Sequence, residues 1–165
     1  MQTFNLGPID TGKFGSYYVA AMSETYRISF GKDELFRSWA GPNGNTYLQK
    51  LNSRALQTDS FCRTLFDGEQ IVGLIEASML RPQVRGQHEG YLAFIFVDLQ
   101  CRSKGAGDYL IKALTKWAAD SDLRKLSLTV ESANVDAIRF YKKHGWQDVG
   151  PSAKSLNARE FSLRL

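Results

Sequence analysis

Hydrophobic positions in the middle of the chain follow the pattern of β-strands. Residues 61–66 and 70–80 are rich in β-forming side chains and flank the turn Asp67-Gly68-Glu69. The Asp-Gly pair supplies the positive φ angles of a tight turn, so this segment predicts an antiparallel hairpin. Residues 91–97, with the sequence YLAFIFV, are a continuous apolar run. Such a run is typical of a strand at the centre of a sheet, buried on both faces.

After this run the spacing of apolar residues changes to the helix period. A helix is predicted to start near Gly107, because five apolar side chains share one face of it: Leu110, Ile111, Leu114, Trp117 and Ala118. Alternation then predicts a strand over 126–131. A second helix is predicted from a cap at Asn134 to a stop at Gly145, with acidic and basic side chains at the ends that the helix dipole favours. Alternation over 161–165 predicts a closing strand.

The N-terminal third has a less regular pattern. We predict a short first strand over 2–8 and helices over 14–30, 33–40 and 46–56, with a turn at 41–45, whose sequence is GPNGN. In chain order the elements are β, helices, β-hairpin, β, α, β, α, β. This order predicts a mixed sheet covered by helices.

The composition fits a globular protein of one domain, residues 1–165. Apolar residues make up 43% and charged residues 23%, which excludes disordered and low-complexity classes. The formal net charge of +4 permits anionic ligands such as phosphates but is too diffuse to indicate nucleic-acid binding. With two cysteines, no signal-peptide layout and no apolar stretch of about 20 residues, we expect a cytoplasmic protein that does not enter membranes.

Candidate chemistry is concentrated in residues 102–107, RSKGAG, between the central strand and the next helix. A helix N-terminus carries unpaired N–H groups and a partial positive charge, and glycine lets a phosphate approach this backbone closely. A plain strand-to-helix turn that uses Gly105 and Gly107 is the alternative. A dinucleotide fingerprint is excluded, because Leu110 stands where a third Gly or Ala is needed, and the Gly-Lys-Ser/Thr of a nucleotide phosphate loop is absent.

Two motifs in this order resemble the GNAT N-acetyltransferase superfamily. Its acetyl-CoA signature, Arg/Gln-x-x-Gly-x-Gly/Ala after an apolar strand, is matched by residues 102–107. Its second element is Asn-x-x-Ala-x-x-Phe/Leu-Tyr-x-x-x-Gly-Phe, and Trp146 replaces the final Phe here. The residues that match in register are Asn134, Ala137, Phe140, Tyr141 and Gly145. The resemblance covers about residues 60–150.

The resemblance implies acetyl-CoA as the cosubstrate and a GNAT-like α/β fold of the mixed α+β type: a mostly antiparallel sheet of six or seven strands flanked by about four helices. Strands 91–97 and 126–131 are expected to be parallel and to splay apart, with the pantetheine arm between them. Backbone N–H groups from Ser103 to Gly107 would hold the pyrophosphate, and an N–H near Val97 would polarise the thioester carbonyl. The implied cofactor-binding residues are Phe96, Val97, Leu99, Arg102, Ser103, Lys104, Gly105, Ala106, Gly107, Asp108, Asn134, Phe140 and Tyr141.

The implied reaction is direct attack of a primary amine on the thioester, and the chain shows no pattern of an activated nucleophile. By resemblance, Tyr141 is the acid that protonates the departing thiolate; the alternative is helix packing with Ala137 and Phe140. The base stays open, since histone-modifying members carry a Glu where this chain has Tyr91. A water chain or a desolvated amine could replace a side-chain base, or one of four carboxylates could serve: Glu76, Glu89, Asp98 and Glu131.

Other residues allow two interpretations each. Asn134 caps its helix and, by resemblance, also contacts the cofactor. Cys101 beside Arg102 is either a reactive thiol or incidental, whereas His88 and His144 lack partners at metal-ligand spacing, so no metal site is expected. A group of N-terminal aromatic residues lines either a substrate pocket or the core: Phe14, Tyr17, Tyr18 and Tyr26.

The sequence therefore predicts an acetyl-CoA-dependent N-acetyltransferase that acts on a small-molecule or peptide amine as a monomer or homodimer. Two alternatives stay open: a non-catalytic acyl-CoA-binding sensor or structural module, and transfer of a longer acyl chain. Arg81 and Arg85 make the loop 81–90 basic, which favours acceptors with a carboxylate or phosphate over polycationic amines. Neither a nucleic acid nor a membrane is expected as a partner.

Overall fold

The computed structural model describes residues 2–81, 85–86 and 88–165. They form seven strands: β1 (Phe4–Gly7), β2 (Ser60–Asp67), β3 (Gln70–Met79), β4 (Glu89–Val97), β5 (Lys125–Glu131), β6 (Gln147–Pro151) and β7 (Ala158–Arg164). They also form five α-helices: α1 (Thr11–Phe30), α2 (Glu34–Ala40), α3 (Asn45–Ala55), α4 (Ala106–Asp120) and α5 (Val135–Lys143). None of the helices in these ranges combines the length and the apolarity needed to cross a membrane.

All seven strands belong to one sheet, in the order β1-β2-β3-β4-β5-β7-β6. Neighbouring strands are antiparallel except β4 and β5, which are parallel. The predicted fold class is confirmed, including the β2–β3 hairpin, whose turn residue Gly68 has a φ of 60°. The sequence analysis misses β6, because its five residues include Gly150 and Pro151, which disfavour strands, and only one apolar residue of strand type, Val149.

The sheet separates two hydrophobic cores. Helices α4 and α5 cover one face, in a core whose buried residues include Leu110, Leu114, Leu128 and Phe161. Helices α1, α2 and α3 cover the other face, in a core whose buried residues include Tyr18, Phe36, Leu51 and Leu74. Full burial of each such side chain stabilises the fold by about 1.5–3 kcal/mol before the entropy of ordering is subtracted.

Strands β4 and β5 pair only at their beginnings. The paired positions are Glu89 with Lys125, Gly90 with Leu126, and Tyr91 with Ser127. Both strands continue for several residues past this point, so their facing backbone edges are open there. The parallel strands therefore splay apart, as the family resemblance implies.

A β-bulge in β4 explains where the divergence begins. Glu76 of β3 faces Phe94, whereas the next residue, Ala77, faces Leu92, so Ala93 is the extra residue of the bulge. A bulge bends its strand and increases the local twist. The bulge lies two residues past Tyr91, the last residue of β4 that pairs with β5, so it turns the rest of β4 away from its parallel neighbour.

Candidate active site

The gap between β4 and β5 opens into a cavity of about 650 Å³. Its walls come from β4, the turn after β4, the start of α4, the end of β5, helix α5 and the C-terminal half of α1. All the cofactor-binding residues predicted from the sequence line this cavity except Lys104, which is exposed, and Ala106, which is buried. The structure thus brings two motifs that are about thirty residues apart in the chain into one cavity.

The N-terminus of α4 lies at this cavity with unpaired backbone donors. Gly105 precedes the helix and provides no side-chain cap. The first intrahelical bond is donated by the N–H of Tyr109 to the Gly105 carbonyl, at 2.9 Å. The N–H groups of Ala106, Gly107 and Asp108 therefore have no helical acceptor, and they carry the positive end of the helix dipole. An anionic group such as a phosphate fits this position.

The fold itself requires glycine at both positions of the turn, Gly105 and Gly107. Gly105 has a φ of 91°, in the left-handed region that favours glycine. At Gly107 an added Cβ would lie 2.7 Å from a ring carbon of Phe140, so the absent side chain lets α5 pack against α4. The sequence predicts that these glycines either let a phosphate approach the backbone or form a plain turn. The structure adds a packing or backbone requirement for glycine at each position.

A substitution at Gly105 separates backbone strain from crowding. An added Cβ there meets no described atom within 4 Å, so Gly105→Ala should act through φ alone and lower the free energy of unfolding by about 1–2 kcal/mol. Gly12→Ala, at an exposed helical position where no positive φ is found, is the control and should not destabilise. Urea unfolding measures both, and equal stability of the two variants would contradict the strain.

The open edge of β4 presents a regular row of backbone groups. The N–H of Asp98 donates to the carbonyl of Val72 in β3 at 2.8 Å. Because backbone groups alternate between the two edges of a strand, the N–H groups of Val97 and Ile95 point into the gap. The carbonyl of Val97 accepts a hydrogen bond from Nε of Arg102 at 2.8 Å.

Tyr141 combines packing with a polar group at the cavity. Its ring packs against Phe140, Trp146 and Phe161, with centroid distances of 5.6, 5.7 and 6.3 Å. The residue lines the cavity, and within the described ranges its hydroxyl has no hydrogen-bond partner. Burial, with a smaller contribution from nearby Tyr91, raises the pKa of Tyr141 far above its ordinary value. The hydroxyl therefore keeps its proton at neutral pH and can donate it in a hydrogen bond.

Three of the four candidate carboxylate bases are held by other side chains. Glu76 is buried, and it accepts hydrogen bonds from the Tyr47 hydroxyl and from Arg54, both at 2.7 Å. Burial outweighs these partners and raises the pKa of Glu76. The carboxylate–cation pair between Glu89 and Lys125 has a distance of 3.2 Å.

Asp98 is engaged as well, and Glu131 is the exception. Asp98 accepts a hydrogen bond of 2.7 Å from the hydroxyl of Tyr17, whose pKa is raised by burial and by this bond. Neither Asp98 nor the two residues above line the cavity, whereas Glu131, at the end of β5, does. Tyr91 lies beneath Lys154, whose Nζ is 4.2 Å from the ring centroid.

Helix α1 contributes a group that the sequence analysis missed. Thr25, Ile28 and Ser29 line the cavity, and their spacing of three and four places them on one face of α1. The N-terminal aromatic residues instead pack in the second core: Phe14, Tyr17, Tyr18 and Tyr26. Their core interpretation is the correct one, and the cavity-facing residues lie on a different face of α1, near its C-terminal end.

The structure decides between the two interpretations given for Asn134 and for Cys101. The side chain of Asn134 caps α5 by accepting from the N–H of Ala137 at 3.3 Å, and the residue also lines the cavity. Cys101 is buried, and burial raises the pKa of its thiol, so Arg102 does not make it reactive. The described ranges contain no group of three or more His, Cys, Asp or Glu side chains that could hold a metal ion.

Comparison with known proteins places the fold and the motifs in one family. The model of the acetyltransferase (GNAT) family matches residues 22–146. This protein superposes on the crystal structure of the PaiA N-acetyltransferase from Thermoplasma acidophilum in complex with coenzyme A with a TM-score of 0.80. The two chains are 14% identical, and the superposition covers 99% of each. This likeness shows the shared fold.

Two proteins of Bacillus subtilis (strain 168) are similar in sequence over part of their length. YwnH, named as a phosphinothricin acetyltransferase, is 26% identical over 73 residues, which are 43% of this chain and 45% of YwnH. YobR, named as an uncharacterized N-acetyltransferase, is 31% identical over 93 residues, which are 53% of this chain and 34% of YobR. The matches thus span less than half of either relative.

The family match covers most of the chain, including both motifs found in the sequence. The protein belongs to the acetyltransferase (GNAT) family. The family resemblance stated from residues 102–107 and from the second motif is thereby confirmed.

Proposed function

We propose that this protein transfers an acetyl group from acetyl-CoA to a primary amine by direct attack. The observation that carries the proposal is the meeting of three features in one cavity: the uncapped N-terminus of α4, the open edges of β4 and β5, and the hydroxyl of Tyr141. The first suits a pyrophosphate, the second suits an amide-containing arm, and the third suits a departing thiolate.

Binding of acetyl-CoA uses backbone groups first. The N–H groups of Ala106, Gly107 and Asp108 receive the pyrophosphate, and the cations Arg139 and Lys143, which also line the cavity, add attraction. The amides of the pantetheine arm pair with the open edge of β4, as a third strand would. Asn134, whose side-chain oxygen is used by the helix cap, keeps its amide N–H groups for the cofactor.

The chemistry needs an uncharged amine, since an alkyl ammonium of pKa about 10.4 has no free electron pair. The ammonium loses one proton to water, and its nitrogen then forms a bond to the thioester carbon, whose oxygen takes up negative charge. The N–H of Val97 stabilises this oxygen. The carbon–sulfur bond then breaks, sulfur takes its electron pair, and the proton that nitrogen loses as the amide forms ends on sulfur.

Tyr141 acts on the departing sulfur. A CoA-type thiol has a pKa of about 8.5, well below that of the buried Tyr141 hydroxyl, so complete proton transfer from the tyrosine to sulfur is unfavourable. A hydrogen bond from the same hydroxyl to the developing thiolate is favourable, because the hydroxyl is protonated and lacks a partner in the described ranges. Tyr141 thus stabilises the leaving group while its ring supports the core.

The state of the cysteines bears on the cellular compartment. The two cysteines, Cys62 and Cys101, are buried free thiols, which suits a reducing cytoplasm. We infer a single acetyltransferase domain over residues 1–165 that acts as a monomer or homodimer on a small-molecule or peptide amine.

Cosubstrate binding is tested by stabilisation. If acetyl-CoA binds the native state alone, a concentration one hundred times its Kd should raise the free energy of unfolding by about 2.7 kcal/mol. Thermal unfolding with and without acetyl-CoA measures the shift, and titration calorimetry gives the Kd. Absence of both a shift and a binding signal would contradict the proposed function.

Catalysis is tested by a panel of amines with acetyl-CoA, in which release of free thiol is followed. Turnover with any amine separates an enzyme from a non-catalytic acyl-CoA sensor or structural module. The same panel with longer acyl-CoA donors tests transfer of a longer chain. Tight cosubstrate binding with no thiol release across the panel would favour the non-catalytic alternative.

A further inference from the structure

The side chain of Glu131 lies on the face of the sheet that α1 covers. Leu126, Leu128 and Val130 of β5 are buried in the core beneath α4 and α5. Since successive side chains of a strand point to opposite faces, Thr129 and Glu131 point to the side of α1. Helix α1 meets the cavity on that side through Thr25, Ile28 and Ser29. Glu131 therefore lies on the acceptor side of the gap, across from the helix end that suits the phosphates.

The carboxylate of Glu131 differs from the other two carboxylates that line the cavity. Asp108 is 2.8 Å from Nε2 of His144 and 3.6 Å from Nζ of Lys143. Asp136 is paired with Arg139 at 3.5 Å. Within the described ranges Glu131 has neither an ion pair nor a side-chain hydrogen bond. Among the residues that the structure describes, the acceptor side of the cavity thus holds a carboxylate that no cationic side chain pairs with.

The reacting nitrogen is a poor ligand for this carboxylate. A neighbouring negative charge stabilises an ammonium and raises its pKa, so it would hold the attacking nitrogen in its unreactive form. A second ammonium on the same acceptor has no such constraint, because it stays charged through the reaction. An unpaired carboxylate beside a cavity of this kind therefore suits the cation that does not react.

We propose that Glu131 selects acceptor amines that carry a second positive charge, such as diamines and polyamines, by binding the ammonium that is not acetylated. The inference rests on the proposed function and names its substrate class. The methylene chain between the two nitrogens would contact apolar groups of the same cavity on the α1 face of the sheet, among them Ile28 of α1 and Phe94 of β4.

This inference reverses the preference expected from the basic loop 81–90. The described arginines of that loop, Arg81 and Arg85, do not line the cavity. The loop leads into the paired beginning of β4, whereas the cavity lies along the diverging part of the strand. The local charge near an acceptor is therefore set by Glu131 rather than by the loop, and it favours cations.

The test compares three acceptors of similar length with saturating acetyl-CoA: putrescine, which has two amines, butylamine, which has one, and γ-aminobutyrate, which has an amine and a carboxylate. We expect wild-type kcat/KM to be highest for putrescine and lowest for γ-aminobutyrate. In Glu131→Gln, kcat/KM for putrescine should fall by about tenfold or more, mainly through KM, because a charge-assisted contact is lost. For butylamine, kcat/KM of Glu131→Gln should stay within about twofold of the wild-type value, because this acceptor has no second ammonium for Glu131 to bind.

Glu160→Gln is the matched control. Glu160 lies on the neighbouring strand β7, where it faces Thr129 of β5, and it does not line the cavity. Its replacement by glutamine removes the same unit of negative charge. We expect it to leave the preference for putrescine unchanged. Thermal unfolding of all variants checks that each is folded.

Three outcomes would overturn the inference. One is equal wild-type use of putrescine and butylamine, or a preference for γ-aminobutyrate. Another is an equal fall of kcat for both amines in Glu131→Gln, which would make Glu131 the base. The third is an equal loss of preference in Glu160→Gln, which would indicate a general charge effect. In each of these the enzyme still acetylates amines; binding of acetyl-CoA with no turnover of any acceptor would instead contradict the proposed function.

Discussion

Tyr141→Phe is expected to lower kcat by about a hundredfold to a thousandfold, the usual cost of removing one hydrogen-bond donor from a developing charge. The hydroxyl is used only when negative charge appears on sulfur, so the Kd for acetyl-CoA should change little. The phenylalanine ring keeps the contacts with Phe140, Trp146 and Phe161, and the substitution removes a hydroxyl that has no hydrogen-bond partner in the described ranges, so the melting temperature should change little.

Tyr109→Phe provides the matched control for this experiment. Tyr109 lies on α4, outside the cavity, and its ring contacts Phe4 at a centroid distance of 6.0 Å. Loss of its hydroxyl should leave kcat unchanged. If Tyr141→Phe retained half of the wild-type kcat, Tyr141 would have only its packing role, and water would be the group that assists the departing sulfur.

Gly107→Val should lower the affinity for acetyl-CoA by about tenfold to a hundredfold. The new Cβ would lie 2.7 Å from the ring of Phe140, and the added methyl groups would force this ring or the helix end to move. Displacement of the N–H groups at the start of α4 from the phosphates costs at least one charge-assisted hydrogen bond, worth about 1.5–3 kcal/mol. Titration calorimetry with acetyl-CoA measures the loss.

Gly12→Val is the control, because Gly12 occupies the same second position of α1 that Gly107 occupies in α4. A Cβ at Gly12 would be 3.5 Å from the Asp10 carboxylate, which is an ordinary contact, and the site is far along the chain from the cavity motifs. It should cost only helix propensity and leave acetyl-CoA binding intact. Normal affinity in Gly107→Val would show that the turn is structural and does not hold the phosphates.

The sequence was most informative where local rules and the fold agree. Alternation and apolar spacing located β4, β5, α4 and α5, and the Asp-Gly turn located the β2–β3 hairpin, because each of these signals depends on neighbours in the chain. The two motifs around Gly105 and Asn134 likewise carried the family, since each sits at the start of a helix that the sequence already predicted. Most of the predicted cofactor-binding residues consequently meet in one cavity.

The remaining features depend on contacts between distant parts of the chain. Nothing local distinguishes Glu131 from Asp108, yet Asp108 is bound by His144, which lies 36 positions further on, and Glu131 has no such partner in the described ranges. The bulge at Ala93 is defined by its register with β3, and the cavity-facing group that begins at Thr25 is defined by the approach of α1 to the gap. These features required the tertiary structure.

Transfer of an isotopically labelled acetyl group from acetyl-CoA to putrescine tests the central claim most directly, with the product identified by mass spectrometry. The proposed function predicts label in the acetylated diamine, one free CoA thiol released for each label transferred, and a reaction that Tyr141→Phe slows without loss of acetyl-CoA binding. Binding of labelled acetyl-CoA with no label transferred to putrescine or to any other small-molecule or peptide amine of the panel would contradict it.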